Sequence, residues 1–184
     1  MNRKMMRAAA LGLLPLAGQA HDFVAGQRVA PVGVADRGEV LWQQEAFRYQ
    51  QWNSAQLTGK VRVVLHIAGR LSAKEMNRAV IEAIQQANLP HDRYQTTTIV
   101  NTDDAIPGSG IFVRNSIEAS KKVSPWSQFV IDDRGAAQRA WQLRQGGSAV
   151  VVLDADGRTR FAKDGALTPA EVQQVMSLLQ QLLG

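Results

Sequence analysis

The sequence predicts an α/β domain in which a mixed central sheet lies between two helical layers, as a three-layer sandwich. The first observation is an apolar strand over residues 60–68, bounded by Gly59 and Gly69. A strand that is apolar on both faces is typical of a sheet that helices cover on both sides. The helical spacing of apolar residues over 73–87 predicts a helix on that sheet. A β-rich run over 94–101 predicts a parallel neighbouring strand, reached through a right-handed crossover.

The first twenty residues have the composition of a secretory signal peptide. Basic residues precede a short apolar stretch, and the small residues Gly18 and Ala20 stand where a signal peptidase cleaves. The apolar stretch is too short to span a membrane. The sequence therefore predicts a signal peptide over residues 1–20 and one domain over residues 21–184. The mature domain is expected to lie free in the periplasm, with no membrane span.

The charge of the chain argues against a nucleic-acid partner. The full sequence carries 21 lysine and arginine residues against 16 acidic ones, a formal net charge of +5. Three of the basic residues belong to the predicted signal peptide, and the others are scattered along the chain. Nucleic-acid-binding domains concentrate basic residues in one patch or stripe. No nucleic-acid partner is therefore expected.

The segment before the central strand predicts a β-hairpin. Turn-forming residues at 36–38 separate short apolar runs at 32–34 and 40–42, which is the spacing of two antiparallel strands. Residues 111–121 show a helical pattern, after a loop over 102–110 that is rich in Asp, Pro and Gly. These elements complete the first two thirds of the predicted domain.

Capping signals define the ends of two predicted helices. Ser72 and Glu75 form an S-x-x-E capping box, which predicts that the helix after the central strand begins at Ser72 and continues unbroken to Asn88. Thr168-Pro169 starts the last helix, with threonine as N-cap and proline in the first turn. Between them, the turn residues within 151–157 predict a closing antiparallel hairpin.

The unit from Gly59 to Ala87 resembles the first strand–turn–helix unit of the thioredoxin-like fold. In that family the turn carries Cys-x-x-Cys, and by position Leu71 and Lys74 stand where the two cysteines would be. The resemblance implies a thioredoxin-like three-layer sandwich without Cys-x-x-Cys. Because the thiolate is the nucleophile of this chemistry and the chain has no cysteine, thiol–disulfide oxidoreductase and peroxidase activities are excluded.

A second resemblance covers nearly the whole mature chain. It rests on the segments 26–29, 52–57, 65–70, 94–107, 125–129 and 162–175. In these segments the chain is similar to the YtfJ-like family of bacterial periplasmic proteins, whose function is unknown. The resemblance implies a thioredoxin-like fold and a periplasmic location, and it brings no activity with it.

The turn after the central strand is the first candidate ligand-binding face. Gly69, Arg70 and Ser72 lie beyond the carboxyl end of the central strand, where open α/β sheets bind their ligands. Arg70 and the free N–H groups of a helix start can hold an anion. The alternative is a purely structural turn in which Ser72 is a helix cap, since the turn contains no glycine-rich phosphate motif.

A histidine and an acidic pair extend this candidate face. His66 lies in the central strand, and Asp103 and Asp104 follow the neighbouring strand, so their side chains are expected near the same sheet edge. Two carboxylates and an imidazole are typical of general acid–base sites and of sites for hard metal ions. The alternative is a buried neutral imidazole beside a solvated loop whose carboxylates cap a turn.

The sequence predicts a monomeric periplasmic binding or accessory module. It would engage a periplasmic protein, a peptide or a small ligand at the face formed by Gly69–Ser72 and Thr102–Gly110, and no cofactor is identified. The alternative is a copper carrier or metal-dependent enzyme. Cleavage after Ala20 would give His21 a free α-amine, which can chelate copper together with its imidazole.

Overall fold

The structure is a computed structural model, and it describes residues 21–184. Within this part of the chain, seven strands form one mixed sheet. The signal peptide predicted over residues 1–20 lies outside the described residues. The strands are β1 (Gly33–Gln43), β2 (Ala46–Asn53), β3 (Val61–Ala68), β4 (Tyr94–Asn101), β5 (Gln128–Asp132), β6 (Ser148–Leu153) and β7 (Thr159–Asp164). They are arranged in the order β2-β1-β5-β4-β3-β6-β7.

Three neighbouring strands form the parallel centre of the sheet. β3 pairs in parallel with β4, and β4 with β5, which confirms the parallel neighbour predicted from the sequence. β6 and β7 form the predicted closing hairpin, antiparallel to β3. The helices are α1 (Leu71–Met76), α2 (Arg78–Ala87), α3 (Gly110–Val123), α4 (Ala136–Ala140) and α5 (Pro169–Leu183). None of the helices within residues 21–184 has the length and hydrophobicity that a membrane crossing requires.

Every residue of β3 is buried, because helices or loops cover both faces of the strand. Val63 and Leu65 belong to a core cluster with α2 and α5, whereas Val64 packs on the opposite face in a cluster that contains Trp52 and Trp141. The apolar pattern of the sequence therefore corresponds to two separate cores on either side of one strand. β3 is an interior strand between β4 and β6, so its carboxyl end lies within the sheet edge rather than at a corner.

The predicted turn at residues 36–38 is wrong, because these residues lie inside one continuous strand, β1. The hairpin instead turns at Gln44 and Glu45, both of which have positive φ. Gly38 also has a positive φ, and a Cβ at this position would approach the carbonyl oxygen of Gln50 to 2.1 Å. The glycine therefore marks an irregularity in the β1–β2 pairing, where it allows close backbone approach.

The predicted single helix from Ser72 to Asn88 is interrupted at Asn77, which separates α1 from α2 with φ −117° and ψ 28°. The predicted capping box is also absent: α1 begins after Arg70, without a side-chain cap, and Glu75 pairs with Arg78. At the other end of the domain, the predicted cap of α5 is confirmed, with Thr168 as N-cap and a proline in the first turn.

Asn77 explains the interruption, since its buried side chain connects the helix to the closing hairpin. Its Nδ2 donates to Ser148 Oγ at 3.0 Å and to the carbonyl of Gly165 at 3.2 Å. Its Oδ1 accepts from the backbone N–H of Leu167 at 3.0 Å. The three bonds fix α1, the start of β6 and the approach to α5 in one position.

Candidate functional site

Polar and charged groups from four parts of the chain come together at the carboxyl ends of β3 and β4. We call this group the carboxyl-end site. Its members are His66, Arg70, Asp104, Arg144, Gly146 and Asp164. Three of them, His66, Arg70 and Asp104, are residues that the sequence placed at this edge. The edge is where ligands of open α/β sheets bind.

Arg70 and Asp104 form the first half of the site. The Arg70 Nε donates to the backbone carbonyl of Asp104 at 2.8 Å, and its Nη2 donates to Asp104 Oδ1 at 2.6 Å. The second carboxylate oxygen accepts from the backbone N–H of Gly146. The Asp104 side chain is only 3% exposed, whereas that of Arg70 is 36% exposed. The ion pair therefore buries its acid and leaves part of its guanidinium at the surface.

Asp164 and Arg144 repeat this arrangement on the other side of the loop before β6. Asp164 Oδ2 accepts from the backbone N–H of Arg144 at 2.9 Å, and the Asp164 carbonyl accepts from Arg144 Nη2 at 3.0 Å. The Asp164 side chain is buried, and that of Arg144 is largely exposed. The loop over residues 144–147 is thus fixed by two buried carboxylates, each of which receives one of its N–H groups.

His66 lies in β3, where the charges of both carboxylates act on it. It pairs with Ala149 of β6, which in turn pairs with Asp164 of β7, so the three residues form one row across the sheet. Burial lowers the pKa of His66 from 6.5 to about 4, although Asp164 and Asp104 act in the opposite direction. The imidazole is therefore neutral at neutral pH, and its Nε2 is buried without a hydrogen-bond partner.

Gly69 allows the two loops of the site to approach each other. Its N–H donates to the carbonyl of Asn101 at 2.8 Å. A Cβ at position 69 would lie 2.9 Å from the Cβ of Ala105 and 3.1 Å from the Asn101 oxygen, closer than such atoms normally approach.

Replacing Gly69 with alanine is expected to destabilise the domain by about 2 kcal/mol, because the loop at Ala105 must move away from the turn. Urea unfolding measures this change. The control is Gly110→Ala, since a Cβ at Gly110 meets no atom within 4 Å. Equal midpoints for the two variants would contradict the steric argument.

The other residues predicted for this site lie apart from it or at its surface. Asp103 is exposed, unlike its neighbour Asp104, and Ser72 is exposed on α1. His21 packs against Phe23, with ring centroids 5.1 Å apart, and the backbone at Asp22 bonds to Trp141. Within residues 21–184, no group of three or more His, Asp or Glu side chains is placed to hold a metal ion. The geometry does not favour the metal-carrier alternative.

Four large apolar side chains are exposed in the segments that adjoin Arg70 and Asp104, and no pattern in the sequence predicted their exposure. We call them the apolar patch, which consists of Leu71, Ile106, Ile111 and Phe112. Leu71 is 72% exposed and Phe112 is 73% exposed. The bonds between Arg70 and Asp104 hold the two segments that carry the patch beside each other.

The loop between Asp104 and α3 is ordered by its own hydrogen bonds. Ser109 donates to the carbonyl of Ile106 through its backbone N–H and through its hydroxyl, at 2.9 and 2.6 Å. The backbone N–H of Phe112 in turn donates to the Ser109 carbonyl at 3.0 Å. These bonds hold the backbone that carries Ile106 and Phe112, whose side chains are exposed to solvent.

Comparison with protein families and curated proteins gives full-length matches. A model of the family described as "Bacterial protein of unknown function (YtfJ_HI0045)" matches residues 23–182. "Uncharacterized protein YtfJ" of Escherichia coli strain K12 is 65% identical over 181 residues, which are 98% of each chain. An "Uncharacterized protein" of Haemophilus influenzae is 43% identical over 163 residues, or 89% of each chain.

Solved structures share the fold at low sequence identity. A putative thiol:disulfide interchange protein, DsbE from Chlorobium tepidum, superposes with a TM-score of 0.55 at 15% identity and covers 89% of this chain and 100% of its own. A putative protein disulfide isomerase from Bacteroides thetaiotaomicron has a TM-score of 0.57 at 15% identity. The match covers 89% of this chain and 92% of the isomerase chain. The predicted thioredoxin-like fold is confirmed, and at this identity the likeness shows the fold alone.

Proposed function

This chain belongs to the YtfJ_HI0045 family of bacterial proteins of unknown function, and from that premise we propose that it is a periplasmic binding module that docks a protein partner without thiol chemistry. The docking surface is the face formed by Gly69–Ser72 and Thr102–Gly110, together with the start of α3. The fold holds this surface in place. The protein partner binds through surface contacts and does not undergo a reaction.

The exposed apolar patch is the observation that carries this proposal. Large apolar side chains that stay exposed in a group are characteristic of protein interaction sites, and isolated ones need no explanation. Here Leu71 and Phe112 are each more than 70% exposed. Leu71 directly follows Arg70 of the Arg70–Asp104 ion pair, and the backbone of Phe112 is held by its hydrogen bond to Ser109. A preorganised surface of this kind loses little conformational entropy when it binds a partner.

The structural neighbours support a protein as the partner. Two of them are named as a thiol:disulfide interchange protein and a protein disulfide isomerase. Leu71 stands where the family motif places its first cysteine, and this chain has no cysteine. A protein docks at this position in our proposal, but no thiol–disulfide exchange takes place there, because that reaction requires a thiolate.

Site-specific photo-crosslinking in the native host tests the docking surface. A photoreactive phenylalanine analogue at position 112 is expected to give a discrete adduct, because this side chain would contact the partner. The matched control is position 123, since Val123 is 77% exposed at the other end of the same helix. The adduct from position 112 should disappear when Leu71 and Ile106 are replaced by serine. Identical adducts from positions 112 and 123 would refute the proposed surface.

The periplasmic location has its own test. The proposal expects the protein in the osmotic-shock fraction, with a mature chain that begins at His21. Small residues at positions 18 and 20 support this cleavage point. N-terminal sequencing of the recovered protein would show a start at Met1 if the leader is not removed, and that result would exclude the proposed processing.

A further inference from the structure

Basic side chains reach the surface in the segments that carry the apolar patch and in the loop over residues 144–147, which bonds to Asp104. Arg70 and Arg144 reach the surface, whereas the side chains of Asp104 and Asp164 are each 3% exposed. Lys74 lies three residues after Leu71 on α1 and is exposed. Among the described residues, no carboxylate lies within 4 Å of its Nζ. Asp103 of the adjoining loop and Glu75 of α1 are also exposed carboxylates, and Glu75 is paired with Arg78.

The two arginines are held in position but keep free donors. Arg70 uses Nε and Nη2 to bind Asp104, which leaves Nη1 for a ligand. Arg144 binds the Asp164 carbonyl through Nη2, and its Nη1 is likewise uncommitted. Gly146 follows Arg144 by two residues, and a Cβ at position 146 would lie 3.8 Å from Arg70 Nη1. The loop that carries Arg144 therefore passes close to the Arg70 guanidinium. A guanidinium that is already oriented loses less entropy when it binds a carboxylate.

We propose that the partner segment carries an apolar anchor flanked by acidic residues: the anchor packs on Leu71 and Phe112, and the carboxylates pair with Arg70, Lys74 and Arg144. This inference rests on the proposed docking function and specifies its partner. Apolar side chains at the centre and charges at the rim are the usual arrangement of a protein interface, in which the charges determine specificity and association rate. A basic rim favours acidic partners and disfavours basic ones.

Three labelled peptides test the charge preference directly. Each has a Phe-Leu-Leu centre, with three glutamate, three glutamine or three lysine residues on either side. Fluorescence anisotropy with the mature protein at low salt is expected to show the glutamate peptide binding at least about tenfold tighter than the lysine peptide. The preference should shrink markedly near 0.3 M salt, because exposed charges are screened.

Two variants locate the effect on the rim. Lys74→Gln and Arg144→Gln should each reduce the glutamate preference about threefold, and Lys74→Gln removes no ion pair found in the structure. Arg160→Gln is the matched control, since Arg160 is a surface arginine paired with Asp154, and it should leave the preference unchanged.

The outcomes separate the partner chemistry from the docking function. If the three peptides bind equally well and Phe112→Ala weakens all of them, the patch docks proteins but the acidic preference is refuted. If the peptides bind and Phe112→Ala weakens none of them, the patch is not the docking site. If none of the peptides binds, the inference of an acidic apolar segment fails, and the crosslinking result at position 112 decides the docking function by itself.

Discussion

Replacing Asn77 with leucine is expected to destabilise the domain by about 3 kcal/mol, because one change removes three hydrogen bonds and leaves buried or half-buried partners unpaired. The Ser148 hydroxyl and the Leu167 N–H lose their partner in the buried hinge between α1 and α2. Leucine has a higher helix propensity than asparagine, but that gain is only about 0.5 kcal/mol. The loss of the polar contacts therefore dominates.

Chemical denaturation measures the change in the free energy of unfolding for the Asn77 variant. Asn115→Leu is the control, because Asn115 is exposed on α3 and its replacement should change stability by no more than about 0.5 kcal/mol. Hydrogen exchange at the amide of Leu167 should accelerate in the Asn77 variant in particular. Unchanged protection at Leu167 would show that the Asn77 side chain does not hold this segment.

The second large effect is the dependence of stability on pH, and it arises from His66. Burial lowers the pKa of His66 to about 4 in the folded protein, from 6.5. Between these two values the unfolded chain binds a proton that the folded chain does not. The contribution of His66 to the free energy of unfolding is therefore fully present above pH 6.5, and it is lost as the pH falls to about 4. The loss amounts to about 3 kcal/mol.

His66→Leu should remove this dependence. Asp104 and Asp164 are present in both proteins, so the difference between the two pH profiles isolates the imidazole. At pH 7 the leucine variant should be about as stable as the parent or more so, since the unpaired Nε2 is no longer buried. His91→Gln is the control, because His91 is exposed beside Trp126. Parallel profiles for the parent and the leucine variant from pH 7 to pH 4 would contradict this assignment.

Local signals in the sequence were enough to predict the central part of the fold. The cap of α5 depends on residues three positions apart, and the parallel β3–β4 pair joins strands that follow each other in the chain with only a helical segment between them. The break at Asn77 was not predictable, because its hydrogen-bond partners lie in the distant closing hairpin. The strand through Gly38 was likewise mistaken for a turn, since the reason for a glycine there is the backbone of Gln50.

The carboxyl-end site was predictable only in part, for a similar reason. The general rule for open sheets placed Arg70 and Asp104 at one edge, where they form an ion pair. Asp164 reaches the same place through the antiparallel pairing of β7 with β6, which no local motif reveals. The sequence also could not distinguish Asp103 from Asp104, although only Asp104 is buried, because tertiary contacts decide which of two adjacent carboxylates faces the protein.

The strand order has a consequence for how the chain acquires its structure. β1 pairs with β5, and β3 with β6, across separations of about ninety residues, so the contact order is high and folding is expected to be slow. The first half of the chain cannot complete its sheet before the second half is available. A slowly closing topology is compatible with the export that we propose, because a chain that has not yet folded can be threaded through a membrane. Until β5 and β6 are available, the edges of β1 and β3 that they cover stay unpaired.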